Sequence, residues 1–365
     1  MIWRCDLVPQ YEAYKEEIDT AIEKVLKTGR YILASEVKAF EDEFASYIGT
    51  GFGVGVANGT DALVLAMMVL NIGPGDEVIT TPYTAVPTVS AIIDTGAKPV
   101  FVDICPDTFL IDLAKVKAAI TDKTKAVIPV HIFGNVVDIP ALREIVGTDI
   151  AIIEDACQAH GSALNGVKCG AMGDMSAFSF YPTKNLGGYG DGGIILTNKG
   201  EYAEKLKLLR MYGMVDYNHI VINGINSRLD EIQAAILRVK LKYLDDMNRK
   251  RNIIAERYRN ELRVDLFEHQ AIPDNVYSNY HVYVTKFKKD RNDFIRYLEQ
   301  FEIQTNIYYL MPIHLQKANE NLGIKQGVLP ISEKVCSEVI ALPLYPELKA
   351  DTLDFIIDTI NNYQG

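Results

Sequence analysis

Three short stretches combine residue types that do chemistry together. The first, Asn58-Gly59-Thr60-Asp61-Ala62-Leu63, reads as a strand end turning into a helix. Backbone N–H groups at a helix start point outward and the dipole favours an anion there, while Gly59 permits close approach and Thr60 adds a hydroxyl donor. The same residues also suit an ordinary N-cap with Asp61 in the first turn. The second stretch, Glu154-Asp155-Ala156-Cys157-Gln158-Ala159-His160-Gly161, follows the apolar Ala151-Ile152-Ile153. A carboxylate at such a strand end is costly unless something pairs with it. A protonated pyridine nitrogen is one such partner, because the carboxylate keeps it charged and so makes the ring an electron sink. Gln158 is then in reach of a phenolic oxygen on that ring. The alternatives are an Asp155 that caps a following helix and a His160 with a purely structural role. The third stretch runs Ser179-Phe180-Tyr181-Pro182-Thr183-Lys184-Asn185-Leu186 into Gly187-Gly188-Tyr189-Gly190-Asp191-Gly192-Gly193. A lysine just after a strand, among turn-forming residues, is held in place, and desolvation lowers its pKa. A neutral amine can form a Schiff base and later carry protons, whereas a lone lysine elsewhere is an ordinary surface charge.

Placing these stretches requires strands. Residues 54–57, 77–80, 99–102, 126–130 and 150–154 read as short strands, several apolar throughout and buried on both faces. Helical patterns at 61–70, 112–120 and 139–146 alternate with them. That alternation implies an α/β fold with a mostly parallel sheet covered on both sides. In such sheets ligands sit at the carboxyl ends of the strands. Residues 176–181 and 193–197 read as two more strands around the glycine-rich turn. After Asn226 a helical pattern runs through Leu229, Ile232, Ile236, Val239 and Leu244, and is expected to be one long helix leaving the large domain. The remainder, with a strand at 281–286 and helices at 293–301 and 332–340, reads as a smaller α+β domain. The expected division is 1–245 and 246–365.

Composition narrows the function classes. A chain of 365 residues suits two unequal domains, and 48% hydrophobic with 23% charged residues is an ordinary globular balance. A net charge of −11 argues against a nucleic-acid surface but leaves room for a phosphorylated ligand held by a few local donors. The five cysteines form no C-x-x-C pair and the six histidines no H-x-x-x-H pair, so no metal site is expected. No apolar run has the length of a membrane span, and a cytoplasmic protein is expected.

Together the three stretches resemble those of the DegT/DnrJ/EryC1/StrS sugar aminotransferases, fold-type-I pyridoxal-phosphate enzymes. The similarity continues through Pro129-Val130-His131-Ile132-Phe133-Gly134, Gly224-Ile225-Asn226-Ser227-Arg228-Leu229-Asp230-Glu231, Pro312-Ile313-His314-Leu315-Gln316 and Leu342-Pro343-Leu344-Tyr345-Pro346. It thus covers nearly the whole chain, in the family's order. The resemblance implies that Lys184 carries pyridoxal 5′-phosphate as a Schiff base, that Asp155 faces the pyridinium nitrogen and that Gln158 lies beside the ring hydroxyl. It further implies phosphate contacts from Gly59, Thr60 and Ser179, and from Asn226 of a neighbouring subunit in a homodimer. Asn226 also suits an N-cap of the helix that follows.

The pattern departs from the family at several places. Where relatives stack an aromatic residue on the cofactor ring, this chain has Ala85, and Tyr83 is the candidate to replace it. The relatives' G-[RY]-[YF]-I-L-G is here Gly29-Arg30-Tyr31-Ile32-Leu33-Ala34, and Ile307-Tyr308-Tyr309-Leu310 stands where several have His-Tyr-Pro. Tyr308, His314 and Arg228 are the candidate substrate contacts. The implied reaction moves an amino group from an amino acid, glutamate by expectation, to a keto group of a nucleotide-linked sugar through the pyridoxamine form of the cofactor. The region from Tyr309 to Gln316 points to C3 rather than C4. Rival readings are an aminotransferase for a non-sugar ketone and a cofactor-binding regulatory protein without turnover. The family's dehydratase branch, with histidine in place of the lysine, is disfavoured by Lys184. A nicotinamide-binding domain is disfavoured because Gly51, Gly53 and Gly55 do not form G-x-G-x-x-G.

Overall fold

Short β-branched and apolar runs supply a seven-stranded sheet in the computed structural model, which describes residues 1–365. Its strands are β1 (Phe52–Val56), β2 (Glu77–Thr80), β3 (Lys98–Phe101), β4 (Thr124–Val127), β5 (Ala151–Asp155), β6 (Met175–Ser179) and β7 (Gly193–Thr197). They lie in the order β1-β7-β6-β5-β4-β2-β3. Only β7 runs against the others, pairing antiparallel with both β1 and β6. The sheet is therefore mixed but mostly parallel, as the alternation of strand and helix implied.

Side chains alternate across the sheet and meet a different layer on each face. Ala177 and Ile195 point to one side, where helix Gly59–Val69 buries Ala62, Leu63, Leu65 and Ala66. That helix is apolar nearly all round because it lies between the sheet and helices Val86–Asp94 and Gly200–Leu209. Phe178, Ile194 and Leu196 point the other way, towards Phe40 and Phe44 of helix Ser35–Ile48. Phe44 meets Phe178 edge-on with ring centroids 5.1 Å apart.

The region after Asn226 differs from expectation. Two helices, Glu231–Leu241 and Leu244–Glu261, replace the single long one, and the first begins after Asp230 rather than at Asn226. The reason lies in the backbone. Asn226 bridges to Met211, and the Ser227 N–H donates to the Arg210 carbonyl at 3.0 Å, so this segment is spent on pairing before the helix starts. Asn226 is accordingly not a helix cap.

Helix Leu244–Glu261 spans two cores. Leu244 and Met247 pack with the large-domain phenylalanines, while Ile254, Ala255 and Tyr258 join the core of the C-terminal part. There Phe267–His269, Tyr283–Phe287 and Val339–Leu342 form a three-stranded antiparallel sheet backed by helices Arg291–Gln300 and Ala350–Asn361. No helix is long and apolar enough to cross a membrane.

Candidate active site

Three strand ends converge on one cavity. The chain leaves β1 into helix Gly59–Val69, β5 ends on Asp155, and β6 ends on Ser179 ahead of the loop that carries Lys184. The cavity they enclose is about 310 Å³ and is lined by Asn58, Gly59, Thr60, Asp155, Gln158, Ser179 and Lys184. Ala85, Pro87, Thr88, Cys157, Tyr181 and Asp191 complete much of its wall. Six of the expected site residues are thus brought together from segments far apart in sequence.

At the helix start, Asn58 Oδ1 accepts the Asp61 N–H at 2.8 Å and the Ala62 N–H bonds back to the Asn58 carbonyl at 3.1 Å. The N–H groups of Gly59 and Thr60 come before Ala62, the first residue to donate within the helix, and remain available to a ligand. A side chain at residue 59 would place its Cβ 2.7 Å from Ser179 Cβ and 3.0 Å from Cys157 Sγ. Glycine is what lets the helix end sit against the ends of β5 and β6.

Asp155 is nearly buried, and each of its oxygens accepts a hydrogen bond. Thr88 Oγ1 donates to Oδ2 at 2.7 Å and the Cys157 N–H to Oδ1 at 3.2 Å. Thr84 and Thr88 hydroxyls share a further bond of 2.8 Å. These contacts fix the plane of the carboxylate. The role of Thr88 was not singled out from sequence. The signal was a hydroxyl among the buried apolar positions Val89, Ala91 and Ile92 of its helix, which needs a partner.

Lys184 sits in a loop stapled at several points. Its N–H donates to the Tyr181 carbonyl at 2.8 Å, and the Gly188 N–H to the Phe180 carbonyl at 2.8 Å. From helix Glu231–Leu241, Gln233 Oε1 accepts the Tyr189 N–H at 2.7 Å and Lys240 Nζ donates to the Gly187 carbonyl at 2.5 Å. A Cβ at residue 187 would lie 2.3 Å from the Pro182 carbonyl oxygen, so the turn closes only on glycine. Burial pulls the Lys184 amine below its ordinary pKa, with Cys157 and Asp155 opposing that shift. His160 is buried among Phe44, Phe178 and Phe180, and desolvation with the Lys184 charge holds it down at about 3. It is a neutral packing residue.

The remaining expected residues lie elsewhere. Tyr83 is fully buried in the core, edge-on to Phe109 and Phe133, and its hydroxyl donates to the Tyr308 carbonyl. It does not line the cavity and is not placed to stack there; Ala85 and Pro87 form that wall. The Tyr308 hydroxyl accepts a hydrogen bond from Arg4 Nη1. His314 is buried, with Nε2 at 3.2 Å from Glu333 Oε1, and faces Phe101 rather than the cavity. Arg228 Nη1 lies 3.7 Å from Met211 Sδ. Asn226 is exposed and outside the cavity of its own chain.

Pyridoxal 5′-phosphate fits the residues that do converge. The helix start and Ser179 offer donors to a phosphate, Asp155 offers a fixed carboxylate to a ring nitrogen, and Lys184 offers an amine held below its usual pKa.

Comparison with known proteins identifies the family. The model of the DegT/DnrJ/EryC1/StrS aminotransferase family matches residues 12–361. The chain is 42% identical to a dTDP-3-amino-3,4,6-trideoxy-alpha-D-glucose transaminase of Micromonospora megalomicea subsp. nigra, covering 96% of each protein. It is also 42% identical to a pleiotropic regulatory protein of Geobacillus stearothermophilus, covering 98% of this chain and 97% of that one. The crystal structure of Streptomyces venezuelae DesV in complex with a ketimine intermediate superposes with a TM-score of 0.96 at 39% identity, covering 99% of this chain and 97% of DesV. Matched over nearly its whole length, the chain belongs to the DegT/DnrJ/EryC1/StrS aminotransferase family and is a pyridoxal-phosphate-dependent sugar aminotransferase.

Proposed function

We propose that the protein transfers an amino group from glutamate to the C3 keto carbon of a nucleotide-linked sugar. The observation that carries the choice of substrate is the similarity to transaminases named for 3-amino and 3-oxo sugar nucleotides, joined to a cavity that holds Lys184 and Asp155 on one floor.

Bound pyridoxal phosphate supplies a ring that accepts the electron pair left when a C–H bond beside nitrogen breaks. The chain's own residues do the rest. Gly59, Thr60 and Ser179 hold the phosphate, with Asn226 of a second copy closing that end. Asp155, held by Thr88 and the Cys157 N–H, keeps a proton on the ring nitrogen. Lys184 Nζ would take a proton from the donor α-carbon and return it to the cofactor carbon on the far side of the donor nitrogen, a 1,3 shift, and on the sugar half it would act in the opposite sense. An amine serves in both directions best when its pKa lies close to the working pH, and burial moves Lys184 that way.

Absorption spectra of the holoenzyme before and after glutamate test the donor half. Loss of the yellow band in favour of a near-ultraviolet one, with release of 2-oxoglutarate, is the expected result. A band that ignores glutamate would overturn the choice of donor. The acceptor half is read by presenting the amino form of the enzyme with 3-keto and 4-keto sugar nucleotides. Return of the yellow band with the 4-keto sugar alone would overturn the C3 assignment.

A further inference from the structure

Gln158 lies on the cavity wall, and its orientation can be assigned from its neighbours. Its Oε1 accepts the Phe133 N–H at 2.9 Å. A backbone N–H only donates, so the amide oxygen is the atom on that side and the nitrogen is directed away from it. That nitrogen donates to Tyr309 Oη at 3.2 Å. A primary amide nitrogen carries two N–H groups. Tyr309 takes one, which leaves the other for a group inside the cavity.

Both anchors of Gln158 are themselves constrained. Phe133 has φ of 60°, in the left-handed region that non-glycine residues adopt only where the surroundings impose it. Its ring packs against Tyr83, Tyr308 and Tyr309. The segment carrying Tyr309 is held by the Tyr83 hydroxyl, which donates to the Tyr308 carbonyl, and by Arg4, which donates to the Tyr308 hydroxyl. Tyr309 therefore meets Gln158 from the C-terminal part of the chain and is not itself among the residues lining the cavity.

We propose that Tyr309 is a positioning residue that takes one N–H of Gln158 and so aims the other at the phenolic oxygen of the cofactor ring. The proposal rests on the reading that places Gln158 beside that oxygen. A donor aimed at the oxygen draws off negative charge and weakens its hold on the proton at the adjacent Lys184 nitrogen. The Phe133 N–H on the amide oxygen polarises the amide and strengthens its N–H donors, while Tyr309, by taking one N–H, fixes the direction of the other. Through this pair, the C-terminal part of the chain sets how readily the Lys184 nitrogen gives up its proton.

The titratable and charged groups around this point are Asp155 at the end of β5 and Cys157 just after it, Lys184 with His160 and His281 near it, Tyr83 and Tyr308 beside Tyr309, Arg4 on the Tyr308 hydroxyl and Cys336 next to the Tyr309 backbone. All remain in a Tyr309→Phe variant, so a difference from the wild type isolates one hydroxyl. Burial pushes the Tyr309 hydroxyl itself far up, out of the working range.

The test is the pH midpoint of the absorption band of the cofactor joined to Lys184 in the holoenzyme. Tyr309→Phe is expected to raise that midpoint by roughly half a unit to one unit, the scale of one hydrogen bond. Gln158→Leu should raise it at least as much, and Tyr309→Phe should add nothing in the Gln158→Leu background. A shifted midpoint in Gln158→Leu with none in Tyr309→Phe overturns the role of Tyr309 while the placement of Gln158 stands. No shift in either overturns both, and additive shifts in the double variant overturn the route through Gln158. Tyr309→Leu, measured the same way, serves if the phenylalanine variant does not fold. The amino-transfer reading is judged separately, by the response of the band to glutamate.

Discussion

A single amine links the chemistry of this protein to its stability. Burial holds Lys184 below its ordinary value of 10.5. In the cofactor-free protein the unfolded chain therefore keeps the Lys184 proton to higher pH than the folded one does. Stability rises with pH wherever the unfolded state binds more protons, so this contribution is most unfavourable below the folded pKa and fades as pH climbs to 10.5. Lys184→Met should raise the Tm of the cofactor-free protein at neutral pH, and the gain should shrink as pH approaches 10.5, as calorimetry across pH can show. A gain independent of pH would mean that the amine is as well solvated as in the unfolded chain. At the same scale, the type and spacing of Lys184, Asp155 and Gln158 were legible in the sequence. Thr88 was not, because its hydroxyl acts on a residue 67 positions away. Tyr83 was misplaced because a tyrosine near the site in sequence is equally at home in the core beneath it, and only packing separates the two.

Among the elements, helix Glu231–Leu241 positions more than one part of the site. Its Gln233 and Lys240 hold the loop after Lys184, and its first residue caps another helix. Buried Glu231 accepts the N–H groups of Ala34, Glu36 and Val37 at 2.7, 2.8 and 3.0 Å, at the start of helix Ser35–Ile48. A carboxylate at a helix N-terminus satisfies donors that have no partner within the helix and meets the positive end of its dipole. Replacing Glu231 by alanine strands those buried donors, and a loss of about 3 kcal/mol is expected in urea unfolding. A loss below about 0.5 kcal/mol, within the range of an ordinary surface substitution, would show that water replaces the carboxylate without cost. The existence of these elements followed from apolar periodicity. Their ends did not, because a run of helical periodicity from Leu229 to Leu244 gives no sign of the β-bridge that delays the first helix or of the break between the two.

Considered as a whole molecule, the chain leaves one expected phosphate contact outside its own cavity. Asn226 is exposed, while its neighbour Ser227 donates to Asp61 Oδ2 at 2.6 Å and so anchors this segment beside the helix that opens the phosphate end. The proposed homodimer with shared sites makes a quantitative expectation. On that reading, Lys184→Ala and Asn226→Asp subunits are each expected to be inactive alone. A mixed dimer then collects both defects in one site and leaves the other intact, so random mixing should restore about a quarter of wild-type activity. No recovery in a mixture shown to exchange subunits would mean that Asn226 serves its own chain or none. What the sequence determined by itself is local chemistry: which residues can turn a chain, cap a helix, hold a proton or approach a phosphate, and the strand-and-helix alternation that carries them. What only the tertiary structure decided is which of these face one cavity. Local sequence constrains dihedral angles and faces over a few residues, whereas the convergence of Gly59, Asp155 and Lys184, and the exclusion of Tyr83 and His314, depend on close packing between segments far apart along the chain.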